Sequence, residues 1–161
     1  MSEFPRAFAA SLPAAGELAG MLARLLAALV IGAVIGLQRE LTHKPAGLRT
    51  HLLVALGTTL LVLAAHDSGM TPHDLSRVIQ GLITGVGFLG GGTILKLTRE
   101  REIQGLTTAA GIWFTAAASI AAGLGRFAAA FIGLALAWLV MFGLARLERR
   151  GGRGARRSPA E

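Results

Sequence analysis

Long apolar runs dominate this chain, and short clusters of charged residues separate them. Each run is a continuous block, such as the seven-letter stretch LLAALVI at 25–31, with no alternation of apolar and polar positions. A helix needs about 20 mainly apolar residues to cross the hydrocarbon core of a bilayer, whereas strands of a membrane barrel alternate over about 10 residues. The pattern therefore predicts five membrane-spanning helices, at 18–37, 52–65, 78–95, 106–124 and 127–145. The second of these is short for a crossing unless it extends back towards Leu48.

Composition agrees with this pattern. Of the 161 residues, 53% are hydrophobic and 16% are charged, and the mean hydropathy is +0.59. A soluble domain of this length needs a mostly polar exterior, so an ordinary soluble enzyme, a disordered chain and a disulfide scaffold are excluded. We predict an all-α membrane protein, a bundle of about five transmembrane helices.

The basic residues predict how the bundle is oriented. The net charge is +7, and most of the 16 Lys and Arg residues lie in the loops after the first and third predicted helices and in the C-terminal tail. Basic loops stay in the cytoplasm, which predicts an N-terminus outside and a C-terminus inside the cell. Nucleic acid is not an expected partner, because no basic face recurs along a polar helix.

The same reasoning predicts three segments. They are an extracytoplasmic segment at 1–17, a membrane domain at 18–147 and a disordered basic cytoplasmic tail at 148–161. Pro13 interrupts the short apolar stretch near the N-terminus, which is atypical of a signal peptide. The first long helix is therefore expected to stay in the chain.

A short motif occurs twice. GLRT at 47–50 opens the second predicted helix and GLTT at 105–108 opens the fourth; each follows a basic loop and a glycine-bearing helix. One interpretation is two parallel helical hairpins plus a fifth helix, an arrangement known from transporters. The other is chance similarity between glycine-rich helices, and the sequence leaves both open.

Glycines are the second notable feature. In a bilayer, small residues let two helix backbones approach closely. We therefore expect helix packing at seven glycines, and the third helix, which holds five of them, to be the central one. The alternative for 90–92 is a break that exposes backbone carbonyls. The seven are Gly32, Gly36, Gly81, Gly85, Gly87, Gly90 and Gly91.

Polar residues at the predicted helix ends form the candidate functional motif. They are Arg39, Glu40, Lys44, Arg49, Thr50, Asp74, Arg77, Gln80, Thr107 and Thr108. Spacing allows Glu40 to share a helix face with Lys44, and Asp74 to cap the third helix and pair with Arg77. Arg49 is expected to turn inward or to reach the interface.

The sequence contains less evidence for a metal site or for catalysis than for helix packing. Asp67 and Asp74 have two interpretations, an outward entrance for Mg²⁺ or simple anchoring of helix ends, and the second is favoured because no carboxylate lies within a predicted membrane core. None of the four histidines is assigned to a site, and the metal ligands stay unknown. No nucleophile with a paired base is visible, so neither enzymatic activity nor a cofactor is expected.

Several motifs in order resemble the MgtC/SapB family of bacterial inner-membrane proteins. They are GLQRE at 36–40, KPAGLRT at 44–50, Arg77 with the QG pair at 80–81, GVGFLGGG at 85–92 and GLTTAA at 105–110. The resemblance covers about 18–147 and implies a five-helix membrane domain linked to magnesium limitation and virulence. Many members also carry a soluble C-terminal domain, whereas this sequence ends after a basic tail, so functions tied to that domain are not expected here.

The resemblance leaves two functions open. Some members are called magnesium-transport proteins, and others are described as regulators that bind membrane partners, including the ATP synthase. For this chain we expect a regulator in contact with the lipid bilayer and with another membrane protein complex or a second copy. The alternative is a transporter or channel for Mg²⁺ or another small ion.

Overall fold

The computed structural model describes the backbone of residues 13–97 and 102–154 and the side chains of 13–94 and 104–143. The described backbone contains five helices, as predicted. They are α1 (Ala15–Leu41), α2 (Leu48–Asp67), α3 (Pro72–Gly92), α4 (Leu106–Gly123) and α5 (Phe127–Gly154). Two short antiparallel strands, β1 (Leu95–Leu97) and β2 (Glu102–Gln104), join α3 to α4. The helical bundle is confirmed, and the strand pair is an addition that the sequence did not predict.

Three helices, α1, α2 and α4, have the length and apolarity needed to cross a bilayer. The apolar part of α5, Phe127–Gly143, is shorter. The 21 residues of α3 are long enough, but Arg77, Gln80 and the glycines lower its hydropathy. Membrane crossing by α3 and α5 therefore stays a prediction.

The exterior of the bundle is apolar. Along α1, large side chains four residues apart point outward, at Leu18, Leu22, Leu26 and Val30. The opposite face of α1 is buried and contains small residues, including Ala28 and the Gly32-x-x-x-Gly36 pair. Large apolar side chains outside and small ones inside suit a lipid environment, in which close packing holds helices together.

The central helix is α4, which packs against each of the other four helices. Its Ala, Gly, Ser and Thr residues let neighbours approach on all sides. The expectation that the third helix is central is wrong: α3 packs mainly on α2 and α4, and its buried residues are Val86 and Gly90. Large outward side chains such as Phe88, which is 84% exposed, keep α3 at the edge.

The seven glycines expected to pack form two groups: some contact a neighbouring helix and the others face open space. A Cβ atom at Gly32 would lie 2.8 Å from the backbone oxygen of His51, and one at Gly36 would lie 2.8 Å from the Cα of Leu48, so both allow α1 to approach α2. Gly90 makes ordinary contact with Ala109. The other four glycines expected to pack have no neighbouring atom within 4 Å of a Cβ position, because they lie on the open faces of α3. They are Gly81, Gly85, Gly87 and Gly91.

The structure supports the internal duplication. Both α2 and α4 begin directly after the glycine of the repeated motif. In each hairpin, a glycine near the end of the first helix packs against the fourth residue of the second helix: Gly36 on His51, and Gly90 on Ala109. The helix also continues through 90–92, so the proposed break is absent from α3.

At the C-terminus, α5 continues through Gly154. The predicted boundary at 147 thus lies within this helix. Residues 1–12 of the predicted N-terminal segment lie outside the described residues. Residues 155–161 of the predicted tail also lie outside them.

Candidate functional site

Polar side chains are buried between α1, α2 and α4, close to the end of the bundle where α2 and α4 begin. Four of them, Arg39, His51, Thr108 and Thr115, form two hydrogen-bonded pairs that each join α4 to another helix. We call these four the buried polar cluster. Such groups are costly inside an apolar bundle unless they are paired, so each pair fixes how its two helices meet.

Arg39 belongs to the last turn of α1. It lies on the inward stripe that also contains Ile31, Ile35 and Gly36, which is why its side chain enters the bundle and is only 3% exposed. Its Nη2 donates a hydrogen bond to Oγ1 of Thr108 in the first turn of α4. Among the described residues, its Nε has no hydrogen-bond partner and no carboxylate lies within ion-pair distance.

Glu40 follows Arg39 and points the other way. Its Oε2 accepts a hydrogen bond of 3.0 Å from the backbone N–H of Leu48, the first residue of α2. Gly47 permits this, because a Cβ there would overlap the carboxylate. The expected helical pairing with Lys44 is wrong, since α1 ends at Leu41 and Lys44 lies in the following turn.

His51 is completely buried in the first turns of α2. Its Nδ1 lies 2.8 Å from Oγ1 of Thr115, which itself donates to the carbonyl oxygen of Gly111 at 2.9 Å. A hydroxyl has one hydrogen, so Thr115 accepts from His51 and the ring proton is assigned to Nδ1. Within the described part of the chain, Nε2 of His51 has no hydrogen-bond partner.

The sequence analysis assigned no site to His51. A signal was present: His51 falls on one helix stripe with Ala55, Thr58 and Val62, and all four are buried. A titratable residue on such a stripe is directed inward, and the scattered placement of the four histidines along the chain concealed it.

Among the predicted polar residues, the structure brings Arg39 and Thr108 into contact. Lys44, Arg49, Thr50 and Thr107 lie at the same end of the bundle but are exposed. Arg49 thus does not turn inward. The remaining three candidates lie near the start of α3, at the end of that helix away from its contact with α4. They are also exposed, and they are Asp74, Arg77 and Gln80.

Asp74 does not cap α3. The cap is Thr71, whose Oγ1 accepts from the backbone N–H of Asp74 at 3.2 Å and donates to its Oδ2 at 2.6 Å. Asp74 therefore stabilises the helix as the third residue, where a negative charge is favourable. Its nearest basic group is Nδ1 of His73 at 3.8 Å, and Arg77 is not within ion-pair distance in the described structure.

The part of the chain whose side chains the structure describes contains no evident metal centre. Across residues 13–94 and 104–143, no group of three or more His, Asp or Glu side chains is arranged to hold a metal ion. Asp67 is paired with its neighbour His66 at 3.3 Å, and both are half-exposed. The polar end of the bundle thus contains a buried arginine and histidine and no described carboxylate inside it.

Comparison with known proteins identifies the relatives of this bundle. The profile of the MgtC family matches residues 25–150, a range that includes the whole buried polar cluster. The chain belongs to the MgtC family. Together with the apolar exterior and the long apolar helices, this membership makes it an integral membrane protein.

Individual relatives of this MgtC-family chain differ in length. Protein SrpB of Synechococcus elongatus is 43% identical over 124 residues, covering 70% of this chain and 68% of SrpB. The putative magnesium transporter YhiD of Escherichia coli K12 is 38% identical over 112 residues, covering 65% of this chain and 51% of YhiD. Protein MgtC of Salmonella typhimurium is 37% identical over 90 residues, covering 56% of this chain and 37% of that MgtC protein. The chain thus spans about half of YhiD and less of MgtC, and no solved structure matches it.

Proposed function

We propose that this chain is a bacterial inner-membrane protein linked to magnesium, and that it acts as a regulator through contact with another membrane protein. The link to magnesium is supported by the name of YhiD, a putative magnesium transporter. We propose that the N-terminus lies outside and the C-terminus lies in the cytoplasm, because most basic residues lie in the loops and tail assigned to the cytoplasmic side.

An open apolar groove between α2 and α3 is the observation that carries the proposal. It has a volume of about 610 Å³ and is lined almost entirely by apolar residues and glycine. Gly57 of α2 and Gly81 and Gly85 of α3 line it with no atom near their Cβ positions. Missing side chains leave room for another helix backbone to approach closely.

The described carboxylates favour a regulator over an ion pathway. Residues on cation and proton routes through membrane proteins are usually ionisable side chains that face the interior. Here Glu17, Glu40, Asp67 and Asp74 are all exposed at or near helix ends. Within the described part of the bundle, no carboxylate faces the interior.

Growth of a deletion strain in low-magnesium medium tests the proposal. Gly81→Leu with Gly85→Leu adds side chains at two positions of the groove where a Cβ meets no atom within 4 Å, and we expect it to abolish rescue at normal abundance. Gly20→Leu on α1, which also meets no atom within 4 Å, is the matched control and should rescue fully. Photo-crosslinkers at Gly81 and Gly20 should capture a defined membrane protein only from the groove. Equal rescue by both variants would reject the groove as the contact surface.

The second candidate is a transporter or channel for Mg²⁺ or another small ion. The duplicated hairpins favour it, because parallel repeats are typical of transporters. Purified chain in liposomes should then pass Mg²⁺ at a rate that Asp74→Ala or Arg77→Ala reduces and Arg126→Ala does not. Absence of flux under every gradient removes this candidate, and robust flux would replace the regulator proposal.

A further inference from the structure

The starts of α2 and α4 occupy equivalent positions in the two hairpins but carry opposite charge. The N-terminus of a helix has exposed backbone N–H groups and behaves like about half a positive charge, so it attracts anions. At α2 the chain itself supplies the anion, because the carboxylate of Glu40 accepts a hydrogen bond from the backbone N–H of Leu48.

At α4 the arrangement is reversed. Its capping residue, Gly105, has a φ of +98° and offers no side-chain hydrogen bond to the helix. The group that reaches the first turn is the guanidinium of Arg39, through Thr108. A positive side chain thus lies against the positive end of a helix.

Burial makes this arrangement costly. Arg39 is 3% exposed, its Nε lacks a hydrogen-bond partner, and no carboxylate of the described residues compensates its charge. A buried charge without a partner is strongly unfavourable, and it is retained only where a counter-charge is supplied. The first turn of α4 and the guanidinium that reaches it through Thr108 are both groups that an anion would stabilise.

We propose that Arg39 and the first turn of α4 form a binding site for an oxyanion of the phosphate type. The planar guanidinium supplies several N–H donors and the first turn of α4 supplies backbone N–H groups, a set of donors that suits the several acceptor oxygens of a phosphate. Leu106 and Thr107, which precede the buried Thr108 in this turn, are exposed at the end of the bundle that carries the basic loops. A phospholipid headgroup and free inorganic phosphate share this chemistry.

Two binding measurements on the full chain distinguish these sources. In uncharged detergent, inorganic phosphate should raise the melting temperature more than chloride at equal ionic strength. In nanodiscs of mixed phosphatidylglycerol and phosphatidylcholine, native mass spectrometry should show phosphatidylglycerol retained by the protein. Arg39→Gln should weaken whichever binding is found by about tenfold or more, because it removes a charged hydrogen-bond donor. The exposed Arg126→Gln, with the same charge change, should leave it unaltered.

Each outcome decides something. A phosphate effect that depends on Arg39 supports a free-oxyanion site, and lipid retention that depends on Arg39 supports a headgroup site. Binding that survives in Arg39→Gln, or no binding of either probe by the wild-type chain, overturns the proposal. If Arg39→Gln does not fold, Arg39→Lys keeps the charge but loses the planar fork, and its binding should still fall.

A final variant tests an occupant from within the chain. Glu100 and Glu102 are the acidic residues of the segment before α4. If the wild-type chain binds neither probe but Glu100→Gln with Glu102→Gln gains phosphate binding, the anion is one of these carboxylates, and the proposal of a bound external oxyanion is overturned.

Discussion

At the scale of single residues, the site is organised by hydrogen bonds that cross from one helix to another. Arg39 reaches Thr108, and His51 reaches Thr115, so two residues of α4 hold the ends of α1 and α2. Such pairs contribute modestly when made but are costly when broken, because a buried polar atom is then left without a partner. Their removal should therefore be visible in stability measurements.

Thr108→Val tests the first pair. The substitution keeps the shape of the side chain but removes the acceptor for Nη2 of Arg39, and we expect the free energy of unfolding to fall by about 1–3 kcal/mol. Titration with a denaturing detergent would measure it. Thr108→Ser keeps the hydroxyl and should lose much less, and Thr107→Val, at the exposed neighbour, should have little effect. Equal losses for Thr108→Val and Thr107→Val would show that the bond is unimportant.

At the scale of helices, close approach is decided by a few glycines. The contact between α1 and α2 depends on Gly32 and Gly36, where added atoms would meet the backbone of α2. Backbone cannot yield as a flexible side chain can, so these positions are constrained. The glycines on the outer faces of α3 are not constrained by the chain itself.

Gly36→Ala should consequently destabilise the bundle, whereas Gly85→Ala should not. The methyl group at Gly36 would lie 2.8 Å from the Cα of Leu48, and we expect a loss of about 1–3 kcal/mol in the free energy of unfolding. At Gly85 there is open space and alanine is the better helix former, so stability should be equal or higher. The same detergent titration checks both, and an unstable Gly85→Ala variant would contradict the described position of α3.

At the scale of the whole molecule, a largely apolar exterior surrounds an interior of small and aliphatic side chains, and the buried arginine and histidine lie near one end. This end carries the basic loops, and the opposite end carries Asp67, Asp74 and Arg77. The asymmetry of the basic residues is the physical basis for the proposed orientation.

Topology mapping tests this orientation. The chain contains no cysteine, so single cysteines introduced at Lys44 and at Ser68 can be labelled separately. A membrane-impermeant thiol reagent applied to intact spheroplasts should label the cysteine at Ser68 and not that at Lys44. Permeabilised cells provide the control, in which both should react. Labelling only at Lys44 would reverse the proposed topology.

The number, type and approximate limits of the helices followed from the sequence alone. Continuous apolar blocks, helix-starting glycine motifs and basic loops are local signals, and each depends on only one or two turns of chain. The strand pair between α3 and α4 was missed, because two strands of three residues have little pattern of their own. Arg39 and Thr108 were predicted as candidates individually.

Only the tertiary structure decided which residues meet. The sequence could not pair Arg39 with Thr108, or direct His51 towards Thr115, because 69 and 64 residues separate these partners. Nor could it distinguish Gly36, pressed against α2, from Gly85, which faces open space, since both are glycines in apolar helices. The composition of a helix determines that it enters the bilayer, but its partners depend on how side chains from distant segments fit together, and that fit exists only in the assembled bundle.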